Sequence, residues 1–177
     1  RYAFAELERP LFVALLEHAL AHGAVQASGP WLHLPEHRVQ LAAADEKLRS
    51  QVWPLLLEGG YDPPWVRDLA AELAVEEVAM RLLLRKLARL GLLQQVVRDL
   101  FYPLQTLQQL AQVVLQLEAQ LGMIRVIDFR DRLGIGRKRC VQILEHFDRI
   151  GLTRRCGNER RVRHDNALAQ PATAVAA

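Results

Sequence analysis

The feature that most limits how this chain can fold is that it repeats itself. WVRDLAAELAVEEVAMRLLLRKLARLGLL begins at Trp65 and RVIDFRDRLGIGRKRCVQILEHFDRIGLT begins at Arg125. A shift of 60 residues superposes Val66 on Val126, Asp68 on Asp128, Leu73 on Leu133, Leu84 on Leu144, Arg89 on Arg149, Gly91 on Gly151 and Leu92 on Leu152. These are seven identities in the 27 positions from 66 to 92, and most other apolar positions match in kind. A third copy, lacking its start, opens the chain: in LFVALLEHALAHGAVQ, Phe12 aligns with Met80, Leu16 with Leu84 and Gly23 with Gly91. Self-similarity of this kind means a row of like modules rather than one large domain.

Within a copy the periodicities define the elements. Asp68 and Asp128 are suited to cap a short helix that buries Leu69 and Leu73, or Phe129 and Leu133. A tight turn and a longer helix follow. In the last copy Cys140, Leu144, Phe147 and Ile150 form an amphipathic stripe, and Gly151 ends it in the left-handed conformation. Short β-like runs come next, around Gly157-Asn158, Arg98-Asp99 and Ser28-Gly29-Pro30, each turn suited to a hairpin. A further helix precedes each short one, over Thr106 to Leu121 and over Asp45 to Leu57, with a kink or restart expected at Pro54.

Helix, short helix, turn, longer helix and two-stranded hairpin make a winged helix-turn-helix. The expected fold is mainly α with small β-hairpin wings, as tandem winged helix-turn-helix domains. One incomplete module occupies about 1–38, a second 45–103 and a third 104–164, and a disordered tail is expected over 165–177. This row of modules carries no long dimerisation helix, and a monomer is expected.

Charge tells the modules apart. The net charge is only +3, yet residues 121–165 hold twelve Arg/Lys against six Asp/Glu while the rest is net acidic. A basic region in an otherwise acidic chain is an electrostatic footprint for a polyanion. No run reaches the roughly 20 apolar residues of a membrane span. Cys140 and Cys156 form no CxxC, and the six histidines have no metal-ligand spacing, so reduced thiols, a cytoplasmic setting and no bound metal are expected. Cys140, on the apolar stripe, reads as core packing. Trp31, Trp53 and Trp65 read as core or module-interface packing away from the basic surface.

LGIGRKRC, at 133–140, decides between an enzyme's phosphate loop and a helix aimed at nucleic acid. It lacks GxxxxGK[ST], has two glycines where a dinucleotide fingerprint needs three, and follows a helix rather than a strand. The glycines therefore belong to the inter-helix turn, and Arg137, Lys138 and Arg139 fall on the first turn of the longer helix. The helix dipole favours acids there, and the middle copy complies with Glu76 and Glu77. The last copy breaks the rule three times, which marks function. Lys138, Gln142, His146 and Arg149 are expected on the face opposite the apolar stripe. The wing adds Arg154, Arg155, Asn158, Arg160, Arg161 and Arg163. Strand alternation keeps some of these from reaching one ligand, and Arg154, Arg160 and Arg161 are favoured as a group. The predicted nucleic-acid site is thus Arg137, Lys138, Arg139, Gln142, Arg154, Arg155, Asn158, Arg160 and Arg161, with no catalytic residue.

The segment IDFRDRLGIGRKRCVQILEHFDRIGLTRRCGNERRVR, above all FRDRLGIGRK and EHFDRIGLTRR, resembles the last winged-helix domain of the bacterial selenocysteine-specific translation elongation factors. The resemblance extends over residues 1–164. It implies a parent protein whose N-terminal half is a GTPase carrying selenocysteinyl-tRNA, followed by four winged-helix domains. The last of these grips an mRNA hairpin, the selenocysteine insertion element, beside a UGA codon. The chain would hold the end of the second domain, the third as a spacer, and the fourth as the RNA-binding unit. The implied partners are the hairpin directly, and ribosome and tRNA through the full-length protein. GTP would belong to the N-terminal part alone, since the GTPase motifs are absent from this chain and no enzyme activity is expected of it. The alternative on charge alone is a winged-helix DNA-binding transcriptional regulator.

Overall fold

A computed structural model describes residues 8–28, 31–36 and 41–165. The first module contributes helix α1 (Arg9–Ala21) and a hairpin of β1 (Gln26–Ser28) and β2 (Trp31–His33). The second runs α2 (Ala43–Glu58), α3 (Val66–Glu72), α4 (Glu77–Arg89), β3 (Leu93–Val97) and β4 (Leu100–Pro103). The third runs α5 (Leu104–Leu121), β5 (Ile124–Arg125), α6 (Val126–Leu133), α7 (Arg137–Arg149), β6 (Thr153–Cys156) and β7 (Glu159–Val162). This is the tandem winged-helix order that the repeat predicts. Helix α2 continues through Pro54 without a restart. The expected tail, apart from Asp165, lies outside the described residues, as do parts of the first module.

The repeat is most exact where its long helices end. Gly23, Gly91 and Gly151 all have positive φ, at 68°, 74° and 75°. In each copy the next residue's N–H reaches back to the last helical turn, Ala24 to Ala19, Leu92 to Leu87 and Leu152 to Phe147. That is the Schellman closure, which needs a residue free to enter the left-handed region. The short helices begin differently from the expectation. Trp65 and Arg125 occupy the cap positions, and Asp68 and Asp128 sit three residues on. Their carboxylates accept hydrogen bonds from the backbone N–H of Trp65 at 3.3 Å and of Arg125 at 3.2 Å. The acid thus still satisfies an orphan donor of the first turn, from inside the helix rather than before it.

Strand β5 was not expected. It adds to the wing through Ile124 opposite Arg160, giving a three-stranded sheet in the order β5-β7-β6. A two-residue strand carries too little alternation to be read from sequence.

Two cores form, and one hairpin serves both. Leu93 and Phe101 belong to the core of α2, α3 and α4. Val96, Leu100 and Tyr102 belong to the core of α5, α6 and α7. The alternation of side chains along a strand turns the middle wing into a wall between the modules. A strand buried on both faces reads as an uninterrupted apolar run, and Leu100–Pro103 is buried at every position. The Tyr102 hydroxyl donates to the carbonyl of Tyr61 at 3.0 Å, and burial pushes its phenol well above the ordinary range.

Candidate nucleic-acid interface

Gly134 closes α6 with φ 69°, and Gly136 is the N-cap of α7. Neither a side chain nor an acid caps the first turn of α7. Its N–H groups and dipole are therefore left to the solvent side, where Arg137 and Lys138 are both exposed. In the middle module the same position carries Glu77, which pairs with Arg81, and Arg81 in turn holds Asp99 of the wing at 2.6 Å. That arginine keeps the Asp99 carboxyl below its usual range. One helix start is thus neutralised internally and the other is left cationic.

The wing register separates the arginines. Arg154 lies opposite Arg161, and Arg155 opposite Arg160. Opposed residues share a face, so Arg154 and Arg161 point outward together and are exposed. Arg160 faces inward with Ile124, is only 2% exposed, and binds the Asp148 carboxylate at 2.9 Å. Thr153 completes that node by donating to Asp148 at 2.6 Å. The favoured trio is thus split between the two faces of the wing. Arg160 joins the wing to the end of α7, because an inward cation survives only with a carboxylate beside it. Arg155 is on the inward face too, but lies nearer the wing tip, beyond the core, and remains exposed. With Asn158, Arg137, Arg160, Arg125, Val126, Ile127 and Val141 it lines a groove of about 340 Å³ between the wing and the starts of α6 and α7.

A correction concerns the flank of α7. Arg139, Gln142, His146 and Arg149 recur at helical spacing, but Arg139 and His146 are buried, Gln142 is half-buried and only Arg149 is exposed. Arg139 is 8% exposed, pairs with Asp62 at 2.5 Å, donates to the carbonyl of Pro63 at 3.2 Å and stacks over Trp65 at 5.0 Å. The Asp62–Trp65 segment covers it, so Arg139 faces the cleft between the modules rather than the open helix start. Arg149 donates to the carbonyl of Val96. His146 is buried, with its pKa lowered to about 4 by desolvation and then by Arg149. Trp65 packs at the module interface as expected, but it borders the basic surface, since it shares a cleft with Lys138.

Sequence reasoning missed Arg125 and Ile127. Arg125 sits on β5 opposite Glu159 of the wing and pairs with Asp128 at 2.8 Å. Ile127 is 44% exposed in the groove floor. The available signal was an apolar residue off the short helix's buried face. Cys140 is fully buried in the core and Cys156 is exposed. Among the described residues no group of His, Cys, Asp or Glu is placed to hold a metal, and no helix is long and apolar enough to cross a membrane.

The arrangement defines a tandem winged-helix protein with one cationic helix start and wing. Residues 42–102 match the winged-helix domain of the selenocysteine-specific elongation factor, and residues 116–162 match the winged helix of elongation factor SelB. The selenocysteine-specific elongation factor of Escherichia coli K12 is 39% identical over 163 residues, covering 92% of this chain and 26% of that protein. That of Haemophilus influenzae is 35% identical over 169 residues, covering 94% and 27%. The mRNA-binding domain of Escherichia coli elongation factor SelB, solved in complex with SECIS RNA, superposes with a TM-score of 0.65 at 41% identity. It covers 70% of this chain, which spans 99% of that domain. The chain belongs to the family of selenocysteine-specific elongation factors and spans about a quarter of the length of the curated relatives it matches.

Proposed function

We propose that this chain is the mRNA-binding region of a selenocysteine-specific elongation factor and grips a selenocysteine insertion hairpin through its last winged helix. The observation that carries the reading is the uncapped, cationic start of α7 beside an arginine-bearing wing, in a chain akin to a domain solved with SECIS RNA. Arg137, Lys138, Arg155 and Asn158 are the proposed inner contacts, and Arg154 and Arg161 the outer ones. Arg160 supports them from within the wing, and Arg139 from the cleft between the modules.

The physics favours RNA with exposed bases. The A-form major groove is too deep and narrow for side chains, so sequence-specific binders read loops and bulges. A compact patch with free helix-start N–H groups suits a hairpin tip, and those N–H groups hold phosphate. In this reading the modules divide as 1–38, 45–103 and 104–164, the middle one being an internally neutralised spacer. The region performs no chemistry of its own. GTP, tRNA and ribosome are engaged by the rest of the parent protein, and binding to the hairpin directs selenocysteine insertion at UGA in the cytoplasm. A gel shift with the SECIS RNA of the Escherichia coli complex, a scrambled hairpin and duplex DNA tests it. Preference for the first supports the reading, and equal or better binding of the duplex replaces it with a DNA-binding role.

A further inference from the structure

We propose that the cleft between the two modules takes one unstacked nucleotide of the bound RNA, with its base against Trp65 and its polar edge on Gln142 and Arg139. This rests on the RNA-binding reading above and adds a second contact region to it. The cleft measures about 560 Å³, within the roughly 300–1,000 Å³ common for small-molecule sites. Its wall is the half-buried indole of Trp65, with the Arg139 guanidinium over the ring at 5.0 Å. Aromatic rings and arginine planes are the platforms on which unstacked bases settle.

The polar groups point to a ligand more sharply. Gln142 and Arg139 line this cleft, and their Oε1 and Nη1 atoms are buried with no hydrogen-bond partner in the protein. Such atoms are scarce in folded chains. One is an acceptor and the other a donor, three residues apart on one face of α7. A base edge, with its neighbouring donors and acceptors, satisfies both at once.

Charge at the mouth fits a nucleotide rather than a neutral apolar molecule. Lys138 comes from the last module, and Arg67 and Arg98, exposed partners of Asp68 at 3.3 Å and Asp99 at 3.8 Å, come from the middle one. The carboxylates that also line the cleft are already engaged: Asp62 by Arg139 at 2.5 Å, Asp99 by Arg81 at 2.6 Å, and Glu77 by Arg81. The cleft also includes Gly136, the cap of α7. A strand that leaves the helix start therefore enters it directly.

The test uses the full chain with Trp31→Phe and Trp53→Phe, which leaves Trp65 as the one remaining tryptophan of three. The probe is the SECIS RNA of the Escherichia coli complex, followed by anisotropy when end-labelled and by Trp65 emission when unlabelled. The expected result is quenching of Trp65 that tracks the anisotropy rise. Gln142→Met, near in volume, should weaken that RNA by roughly tenfold, about one hydrogen bond's worth, and leave a fully paired RNA duplex unchanged. If Gln142→Met fails to fold, 4-thiouridine placed singly in the hairpin loop should crosslink to the Trp65 peptide of the unaltered chain. Binding with unmoved Trp65 emission, and with Gln142→Met within twofold or no crosslink, overturns the cleft and leaves the RNA reading standing. No anisotropy rise at all overturns the RNA reading and the cleft with it.

Discussion

Two neighbouring arginines in β7 show how far one position changes a role. Arg160 and Arg161 are chemically identical and adjacent, yet one is 2% exposed on a carboxylate and the other faces solvent. Arg160→Met leaves Asp148 with only Thr153, and should destabilise the fold by about 2 kcal/mol, within the range for stranding a partly buried charge. Arg161→Ala should leave stability within about 0.5 kcal/mol. It should instead weaken cognate and scrambled hairpins alike and flatten the salt dependence by about one phosphate contact. Urea unfolding and RNA titration at two salt concentrations check both. Equal stability of the two variants would mean that the Arg160–Asp148 pair contributes nothing. The sequence shows that five wing arginines exist, and only the register shows which of them turn inward. That register was beyond reach because β6 and β7 are four residues each and carry cations on both faces, so neither strand announces an apolar side.

At the scale of elements, the repeat made the helices, glycine closures and hairpins legible, because each is a local pattern of three to seven residues. What joins the modules was not legible. Leu100, Phe101, Tyr102 and Pro103 read simply as an apolar run, and nothing local says that alternate side chains serve different cores. Likewise the α7 face bearing Lys138, Gln142, His146 and Arg149 reads as polar, hence solvated, yet His146 is 3% exposed and Arg149 reaches back to the carbonyl of Val96. This sharing has a measurable consequence. A fragment of residues 104–164 lacks Val96, Leu100 and Tyr102, three fully buried members of its own core. Each large side chain removed costs about 2–5 kcal/mol, comparable in sum with a small domain's whole stability of about 5–15 kcal/mol. The fragment should show little cooperative unfolding by circular dichroism and weak RNA binding. Residues 41–164 should unfold in one transition and bind the hairpin as the full chain does. A well-folded, fully binding 104–164 fragment would mean that the shared wall is dispensable.

In the whole molecule, α7 meets the proposed RNA with its first turn and the middle module with its flank, so the two contacts are mechanically linked. The flank is closed by a histidine that resists protonation. His146 is 3% exposed, its Nε2 has no partner, and Arg149 stands on the same face. Its folded pKa of about 4 lies below the ordinary 6.5. The unfolded chain therefore takes up the proton first. Stability is complete above about pH 6.5, falls as pH drops through that value, and levels off below about 4. By pH 5 the loss should be about 2 kcal/mol, from roughly 1.5 pH units at 1.36 kcal/mol each. The window from 6.5 to 5 lies above the carboxylate range, and Arg81 and Arg125 hold Asp99 and Asp128 lower still, so these acids stay ionised there. Urea midpoints at pH 7.5 and pH 5 should thus differ clearly for the native chain. His146→Gln, uncharged at both values, should lose stability at pH 7.5 but show a much smaller difference between them. A native-chain difference no larger than that of His146→Gln would mean that the interface opens to water readily enough to hydrate the imidazolium. The middle module would then be a loose neighbour of α7 rather than its fixed support.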